Sequence, residues 1–309
     1  MRENAMEQEA KRAIQNAIDY AEAHICENLT LEELASAAHY SVSYFARAFR
    51  RLTGFSAMSY LTRRKLQYAI HALCSGVNQR IIDVALEYGF ESHAGFCRTF
   101  RKQFGCSPSH YRLHIRGILP SRLNVLSEQR KGALLMDLKI IEMEPRAIVG
   151  YVSRHTLPKV SSTHDIPVFW ERLNLDCASQ LTTLHRLFPM ETHCEYGVCY
   201  DADSDSGNFT YLLGVGVPPG AKVPDPKLTK LQLPGGLYAV FSTPWVPENQ
   251  YVAVIRDLWQ EIFDTWLPTS GYCLDENRLE FEYYDFRDHA WEHNGSQQMD
   301  IYLPIHAKS

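Results

Sequence analysis

Nothing in the 309 residues approaches the run of about 18 apolar side chains that a membrane-spanning helix needs, so such a span is excluded. A phosphate loop, a dinucleotide fingerprint and a nucleophile elbow are missing too, and with them the signatures of common nucleotide-using and hydrolytic enzymes. The first seven residues are polar and acidic, without the apolar stretch of a secretory leader, so the expected compartment is the cytoplasm. Cysteine is sparse. The eight stand at positions 26, 74, 97, 106, 177, 194, 199 and 273, without the paired spacing of a zinc site or a disulfide framework, and reduced, mostly buried thiols are expected. Tryptophan is missing before Trp170, and residues 8–116 hold a single proline, Pro108.

The net charge is small, −5, but it is unevenly placed. Residues 1–116 carry 15 Lys and Arg against 11 Asp and Glu, whereas 117–309 carry 16 against 25. Within 42–104 the count is ten basic to three acidic, a local footprint suited to a phosphate backbone.

Residues 8–116 read as helices throughout. Thr30-Leu31-Glu32-Glu33 is a capping box, and Ser107-Pro108 places a serine cap before a proline at the first helical position. Residues 45–60 recur at an offset of 51, with seven of sixteen positions identical to 96–111, among them Phe45/Phe96, Arg47/Arg98 and Phe49/Phe100. Each copy follows a short helix with a small residue, Ala35 or Ala85, and a turn, which is the pattern of a helix-turn-helix. The phenylalanines are expected in the core, and Arg47 and Arg98, lying between them, are left to fork onto guanine in a major groove. A helix over 57–74, about 27 Å long, spaces the two units for successive grooves about 34 Å apart.

The periodicity loosens over 117–136, read as a linker, and strands come after it in the order β-α-β-β, twice, with helices over 167–187 and 252–266. The fold class is thus multidomain: an all-α double helix-turn-helix domain (1–116), a linker (117–136) and an α+β domain (137–309). In 279–284, alternation sends Leu279, Phe281 and Tyr283 to one face and Glu280, Glu282 and Tyr284 to the other. All five tryptophans and an acid excess fall in this half, consistent with an aromatic, acidic cleft for lipophilic or cationic small molecules. No metal and no cofactor is expected. The stretch 201–207 has Ser206 and Leu212 where a calcium loop needs Gly and Glu, and neither His110/His114 nor His193/Cys194/Cys199 completes four zinc ligands.

From about 12 to 114, with Lys65-Leu66, Ile82-Asp83-Val84-Ala85 and Gly89-Phe90-Glu91-Ser92, the chain resembles the AraC-family DNA-binding domain. The resemblance implies base contacts at Ser43, Ala46 and Arg47 in the first unit and at His93, Ala94, Cys97 and Arg98 in the second. Arg50, Arg51, Arg64, Arg101 and Lys102 are read as phosphate contacts, which position without specifying. From about 137 to 306, Ile140 to Arg146, Leu233-Pro234-Gly235-Gly236, Trp266-Leu267-Pro268, Phe281-Glu282-Tyr283-Tyr284 and Met299 to Ile305 resemble a GyrI-like effector-binding domain. That resemblance implies duplicated β-α-β-β units around a central ligand cleft, with Glu282 in the pocket and Tyr284 and Trp266 as further effector-binding candidates.

The combination implies a transcription regulator rather than an enzyme: a multidrug-type sensor that binds promoter double-stranded DNA and a small amphipathic effector, with activation favoured and RNA polymerase as a further partner. Two other readings compete. One makes Glu282, beside Tyr284, the general base of a hydrolase acting on an electrophilic small molecule; the other makes the second half an acidic protein-docking module.

Overall fold

The structure, a computed structural model, describes residues 2–75, 80–115, 122–126, 137–156, 178–189, 194–201, 208–218 and 220–308. The linker apart from 122–126, the start of the helix expected over 167–187 with Trp170, and residues 202–207 lie outside the described residues. The chain divides into two compact units: Met1–Gln103 with Gly117–Ala133, and Phe104–Arg116 with Leu134–Ser309. Among the described residues no helix is long and apolar enough to cross a membrane.

The first unit contains α1 (Arg2–Ala23), α2 (Leu31–Ala37), α3 (Val42–Thr53), α4 (Ala57–Ser75), α5 (Ile81–Glu87) and most of α6 (His93–Phe104). Local chemistry sets the starts. Thr30 Oγ1 accepts the Glu33 amide at 3.2 Å while Glu33 accepts the Thr30 amide at 2.7 Å, closing the capping box. Ser56 and Ser92 accept the N3 amides of α4 and α6 at 3.2 and 3.1 Å. Phe45, Phe49, Phe96 and Phe100 are buried, as the duplicated pattern requires, and Ala35 and Ala85 are buried between helices.

The two turns end their first helices alike. Tyr40 and Phe90 amides reach back to the Ala35 and Ala85 carbonyls, and His39 and Gly89 amides to Ser36 and Leu86, which is the paired bonding of a Schellman end. The residue turned left-handed is His39 (φ +56°) in the first copy and Gly89 (φ +83°) in the second. Beyond it, the Phe45 and Phe96 amides bond to Ser41 and Ser92, so the second turn holds one extra residue, Glu91. A side chain in this conformation costs roughly 1–2 kcal/mol. His39→Gly is therefore expected to stabilise the first unit by up to about 1 kcal/mol after the entropic cost of glycine, and Gly89→Ala to destabilise it by about 1–2 kcal/mol; urea unfolding followed by circular dichroism checks both signs.

The second unit opens with α7 (Pro108–Ile115), capped by Ser107 Oγ on the His110 amide at 3.4 Å. Its sheet contains β1 (Asp137–Met143), β2 (Arg146–Thr156), β3 (Cys194–Tyr200), β4 (Asn208–Val217), β5 (Thr229–Leu233), β6 (Gly236–Ser242), β8 (Tyr272–Leu274), β9 (Phe281–Asp285) and β11 (Asp300–Ala307). The two-residue strands β7 (Val246–Pro247) and β10 (Ser296–Gln297) pair with each other. Helix α8 (Ala178–Leu187) comes after β2, and α9 (Glu248–Glu261) continues into a π-helical turn, Ile262–Trp266.

All pairings are antiparallel, in the order β1-β6-β11-β9-β3-β4-β2-β5, with β8 on β11. The expected duplication is visible in that order. The unit β2-α8-β3-β4 lies as β3-β4-β2, and β6-α9-β9-β11 lies as β9-β11-β6, so the halves meet strand to like strand at β3 and β9. The strand preceding each half crosses over, β1 to β6 and β5 to β2.

One face of the sheet closes on Met143, Ile148, Tyr196, Leu212, Tyr238 and Phe281, with Leu279 and Tyr283 against them. On the other face α8 packs Leu184 against Val149 and Val215. The alternation read in 279–284 holds, because Glu282 and Tyr284 point away from the Phe281 core. The thiols depart from expectation: of the six described as free, Cys106 and Cys194 are buried, Cys26 is exposed, and Cys97, Cys199 and Cys273 lie between.

Candidate functional site

In the first unit, α3 and α6 each bury one stripe and present the other. Ser43, Arg47, Arg50 and Arg51 are exposed and Ala46 is partly so; His93, Ala94, Arg98, Arg101 and Lys102 are exposed and Cys97 partly so. The arrangement repeats because the buried stripe repeats. Cys97 Sγ lies 3.5 Å from His93 Nε2 on this surface, and burial raises its thiol above the ordinary value. Tyr44, 43% exposed and edge-on to Tyr40 at 4.7 Å, stands beside Ser43; its counterpart across the repeat is Gly95, so comparing the copies did not single it out.

Arg64 does not take the phosphate-contacting place expected of it. Its side chain is 4% exposed and grips Glu22 of α1 through Nε and, at 2.9 Å, Nη2. Tyr60 and Tyr68 hydroxyls donate to the same carboxylate at 2.8 and 2.9 Å, and Arg64 Nη1 donates to Gln67 at 2.8 Å. Burial alone would raise the Glu22 carboxyl, but the Arg64 hydrogen bonds and charge, with the two phenols, bring it below the ordinary value. The adjacent Lys65 is also drawn inward, donating to the Glu27 carbonyl at 2.8 Å, and burial lowers its amine. Two of the three cations in Arg63-Arg64-Lys65 thus tie α4 down.

In the second unit, Glu282 of β9 collects three donors. Oε2 accepts from Tyr211 at 3.1 Å and Tyr284 at 3.0 Å, and Oε1 accepts from the Trp259 indole at 3.0 Å. Gly197, directly across from Glu282 on β3, makes this possible: a Cβ there would lie 2.1 Å from the Tyr211 hydroxyl and 3.0 Å from Glu282 Oε2. Glu282 is partly exposed while Tyr211, Tyr284 and Trp259 are buried, so a carboxylate stands within an aromatic wall. Burial sends the Tyr284 phenol well above its ordinary value, and the nearby Glu282 charge adds to the rise.

The structure brings Glu282 and Tyr284 together but places Trp266 elsewhere, edge-on to Phe241 at 4.9 Å and parallel to Tyr272 at 6.2 Å. The indole at the carboxylate is Trp259. Both tryptophans lie in the helix read over 252–266, seven residues apart and so within about 20° of each other on a 3.6-residue wheel, and the π-helical turn Ile262–Trp266 rotates the later one out of line.

Trp259 is held from behind by α7. The His114 ring stacks on Trp259 at 4.1 Å and on Phe263 at 4.6 Å, and its Nε2 lies 3.0 Å from Glu280 Oε1. Tyr111 donates to Asp264 Oδ1, and the Ser107 amide to Glu276. Burial pushes the Glu280 carboxyl up, yet the hydrogen bond and charge of His114 leave it below the ordinary value. Among the described residues no cluster of three or more His, Cys, Asp or Glu side chains is placed to hold a metal ion.

Residues 34–114 match the helix-turn-helix domain family, and 139–305 match the family of integron-associated effector binding proteins. The chain is 36% identical over 126 residues to the uncharacterized HTH-type transcriptional regulator YbfP of Bacillus subtilis, covering 40% of this chain and 42% of that one. It is 29% identical over 144 residues to the right origin-binding protein of Escherichia coli, covering 46% and 48%. Over 104 residues it is 32% identical to the HTH-type transcriptional activator AarP of Providencia stuartii, covering 34% of this chain and 76% of that one. The chain thus spans under half the length of the first two relatives. The helix-turn-helix match runs to His114, so α7 belongs to that domain by sequence and to the second unit by packing. With an effector-binding match over more than half its length and a helix-turn-helix domain ahead of it, the chain belongs to the AraC-type regulator family, in the branch that carries a GyrI-like effector-binding domain.

Proposed function

We propose that the protein is a DNA-binding transcription regulator, an activator, whose residues 1–116 read a promoter and whose residues 137–309 sense a small amphipathic, lipophilic or cationic effector. The observation that carries this reading is the duplicated, exposed Arg47 and Arg98, each set between buried phenylalanines on the second helix of a helix-turn-helix. Ser43, Ala46, His93, Ala94 and Cys97 complete the base-facing surfaces; Arg50, Arg51, Arg101 and Lys102 flank them toward phosphates. α4, 19 residues and about 28 Å at 1.5 Å per residue, supplies a spacing suited to adjacent major grooves. Work on promoter DNA places the protein in the cytoplasm, with RNA polymerase as the partner through which activation is read out.

Glu282 is the effector's counter-charge, with Tyr284, Tyr211 and Trp259 as the aromatic wall. The hydrolase reading is the weaker one. Three donors already fill most of the roughly four lone-pair sites of the Glu282 carboxylate, which leaves it better placed to hold its charge than to take a proton from water, and relatives such as YbfP and AarP are transcription regulators.

Selection of the intact protein against a random duplex library at one stated salt concentration tests the DNA reading. The expected site has two motifs about one helical turn apart. The Arg47→Ala/Arg98→Ala protein is expected to lose about 100-fold or more in affinity for it, since each bidentate guanine contact is worth roughly 1–3 kcal/mol, while keeping nonspecific binding. The same enriched site bound equally well by the double variant would sink the assignment.

A further inference from the structure

Beside Glu282 the same face of the sheet carries a second acidic group that the effector reading leaves unused. Glu195 lies opposite Tyr284 across the β3–β9 pairing, one diagonal step from Glu282, which places the two backbones about 7–8 Å apart. It is 8% exposed, and His185 Nε2 lies 3.1 Å from its Oε1. Asp288 lies three residues past the end of β9 and sits close enough to feel the Glu195 charge. Burial, partly offset by the Tyr251 hydroxyl and reinforced by Glu195, pushes the Asp288 carboxyl up to about 6.

What distinguishes this corner is unmet hydrogen bonding. The Tyr251 side chain, from the first turn of α9, is buried at 8% exposure, and its hydroxyl leans on the Asp288 carboxyl without closing a well-formed hydrogen bond and has no other partner among the described residues. Gln297 donates from Nε2 to the Asp288 carbonyl at 2.7 Å, and its Oε1 is buried and unpartnered among the described residues as well. Buried polar atoms without partners are rare because each forfeits the hydration it had when unfolded. Here two of them flank a half-buried acid. An acid, an amide oxygen and a phenol together offer acceptors to a group with several N–H donors, and the negative charge favours a cationic one.

We propose that Asp288, with Tyr251, Gln297 and the charge of Glu195, forms a second pole of the effector site that receives a protonated amine, so that the preferred effectors are amphipathic cations carrying an additional primary ammonium group. This second pole presupposes that Glu282 is the counter-charge for the first cationic group. A ligand with one positive centre leaves the Asp288 pole uncompensated; a ligand with two neutralises both and supplies the missing hydrogen-bond partners.

The test uses the full-length chain and a matched pair of probes over a series of spacer lengths: an n-alkyltrimethylammonium ion, and the same ion ending in a primary amine. Binding is read by calorimetry at neutral pH. With a pole present, the amine-terminated ion of best length is expected to bind about tenfold more tightly, as one charge-assisted hydrogen-bonded contact allows. Asp288→Asn is expected to abolish that preference and leave the simple ion's affinity within about twofold. Tighter binding of the simple ion by the wild-type protein overturns the second pole, because an apolar end then suits the site better than an ammonium; so does a preference that persists in Asp288→Asn. Binding of neither ion, in a protein that still binds DNA, overturns the Glu282 reading beneath it. The wild-type comparison needs no variant to fold.

Discussion

Glu22→Ala is expected to destabilise the first unit by about 3–5 kcal/mol, the usual cost of stripping one partner from a buried ion pair. Arg64 then keeps its charge at 4% side-chain exposure with no carboxylate against it, and Tyr60 and Tyr68 lose their acceptor. The four side chains tie α1 to α4, so the loss reaches the helix on which both helix-turn-helix copies are mounted. Urea unfolding monitored by circular dichroism should show the earlier midpoint, and specific DNA binding should fall with it. The dependence on pH has a definite sign. The folded carboxyl lies below its ordinary value, so its stabilisation is fully present above about pH 4.5 and is lost as pH falls through the depressed value. That acid-side loss should vanish in Glu22→Ala. An unfolding midpoint within experimental error of wild type would refute the claim that this pair holds the unit.

His114→Ala is expected to have a comparable effect on the second unit, again about 3–5 kcal/mol, because Glu280 is left 4% exposed without its histidine. Two ring stacks, with Trp259 and Phe263, go with it. Glu280 then loses the contact that holds its carboxyl low, so burial takes over and the group takes up a proton at higher pH than in the wild type. Thermal unfolding as a function of pH reads both consequences. In the wild type the Glu280 contribution fades as pH falls through its depressed value, and in the variant that step disappears. Because Trp259 also donates to Glu282, the variant should bind the effector proposed for Glu282 more weakly even where it remains folded. Unchanged stability together with unchanged effector affinity would show α7 to be incidental to the site.

The features legible in the sequence were those that repeat or alternate. The capping box at Thr30, the phenylalanine stripes and the exposed Arg47 and Arg98 are set by neighbours within a turn or two of helix, and the structure bears out that local pattern. The faces of 279–284 come from the two-residue period of a strand in the same way. Arg64 could not be placed like this. Its partner lies 42 residues away on another helix, and a run of three cations looks the same whether it faces water or a buried carboxylate. Trp259 and Trp266 were equivalent on a 3.6-residue wheel, and only the π-helical turn, which rotates the later side chains by about 100°, separates them. The pairing of His114 with Glu280 joins positions 166 apart, beyond any local period.

The crossing of β1 to β6 and of β5 to β2 gives the second unit a property that neither half owns. Each half contributes its opening strand to its sibling, so a half cut free would carry an orphan strand and lack the outermost member of its own sheet. The duplicated halves behave as clasped hands rather than stacked bricks. Because β3 and β9 form the seam at which they meet, and Glu282 and Gly197 face each other across it, the site sits on the axis of the clasp. Two identical halves paired at this seam would have to place the same residue on both sides of it, whereas two unlike halves can set a glycine opposite a glutamate and so build one asymmetric site where symmetry would give two half-sites.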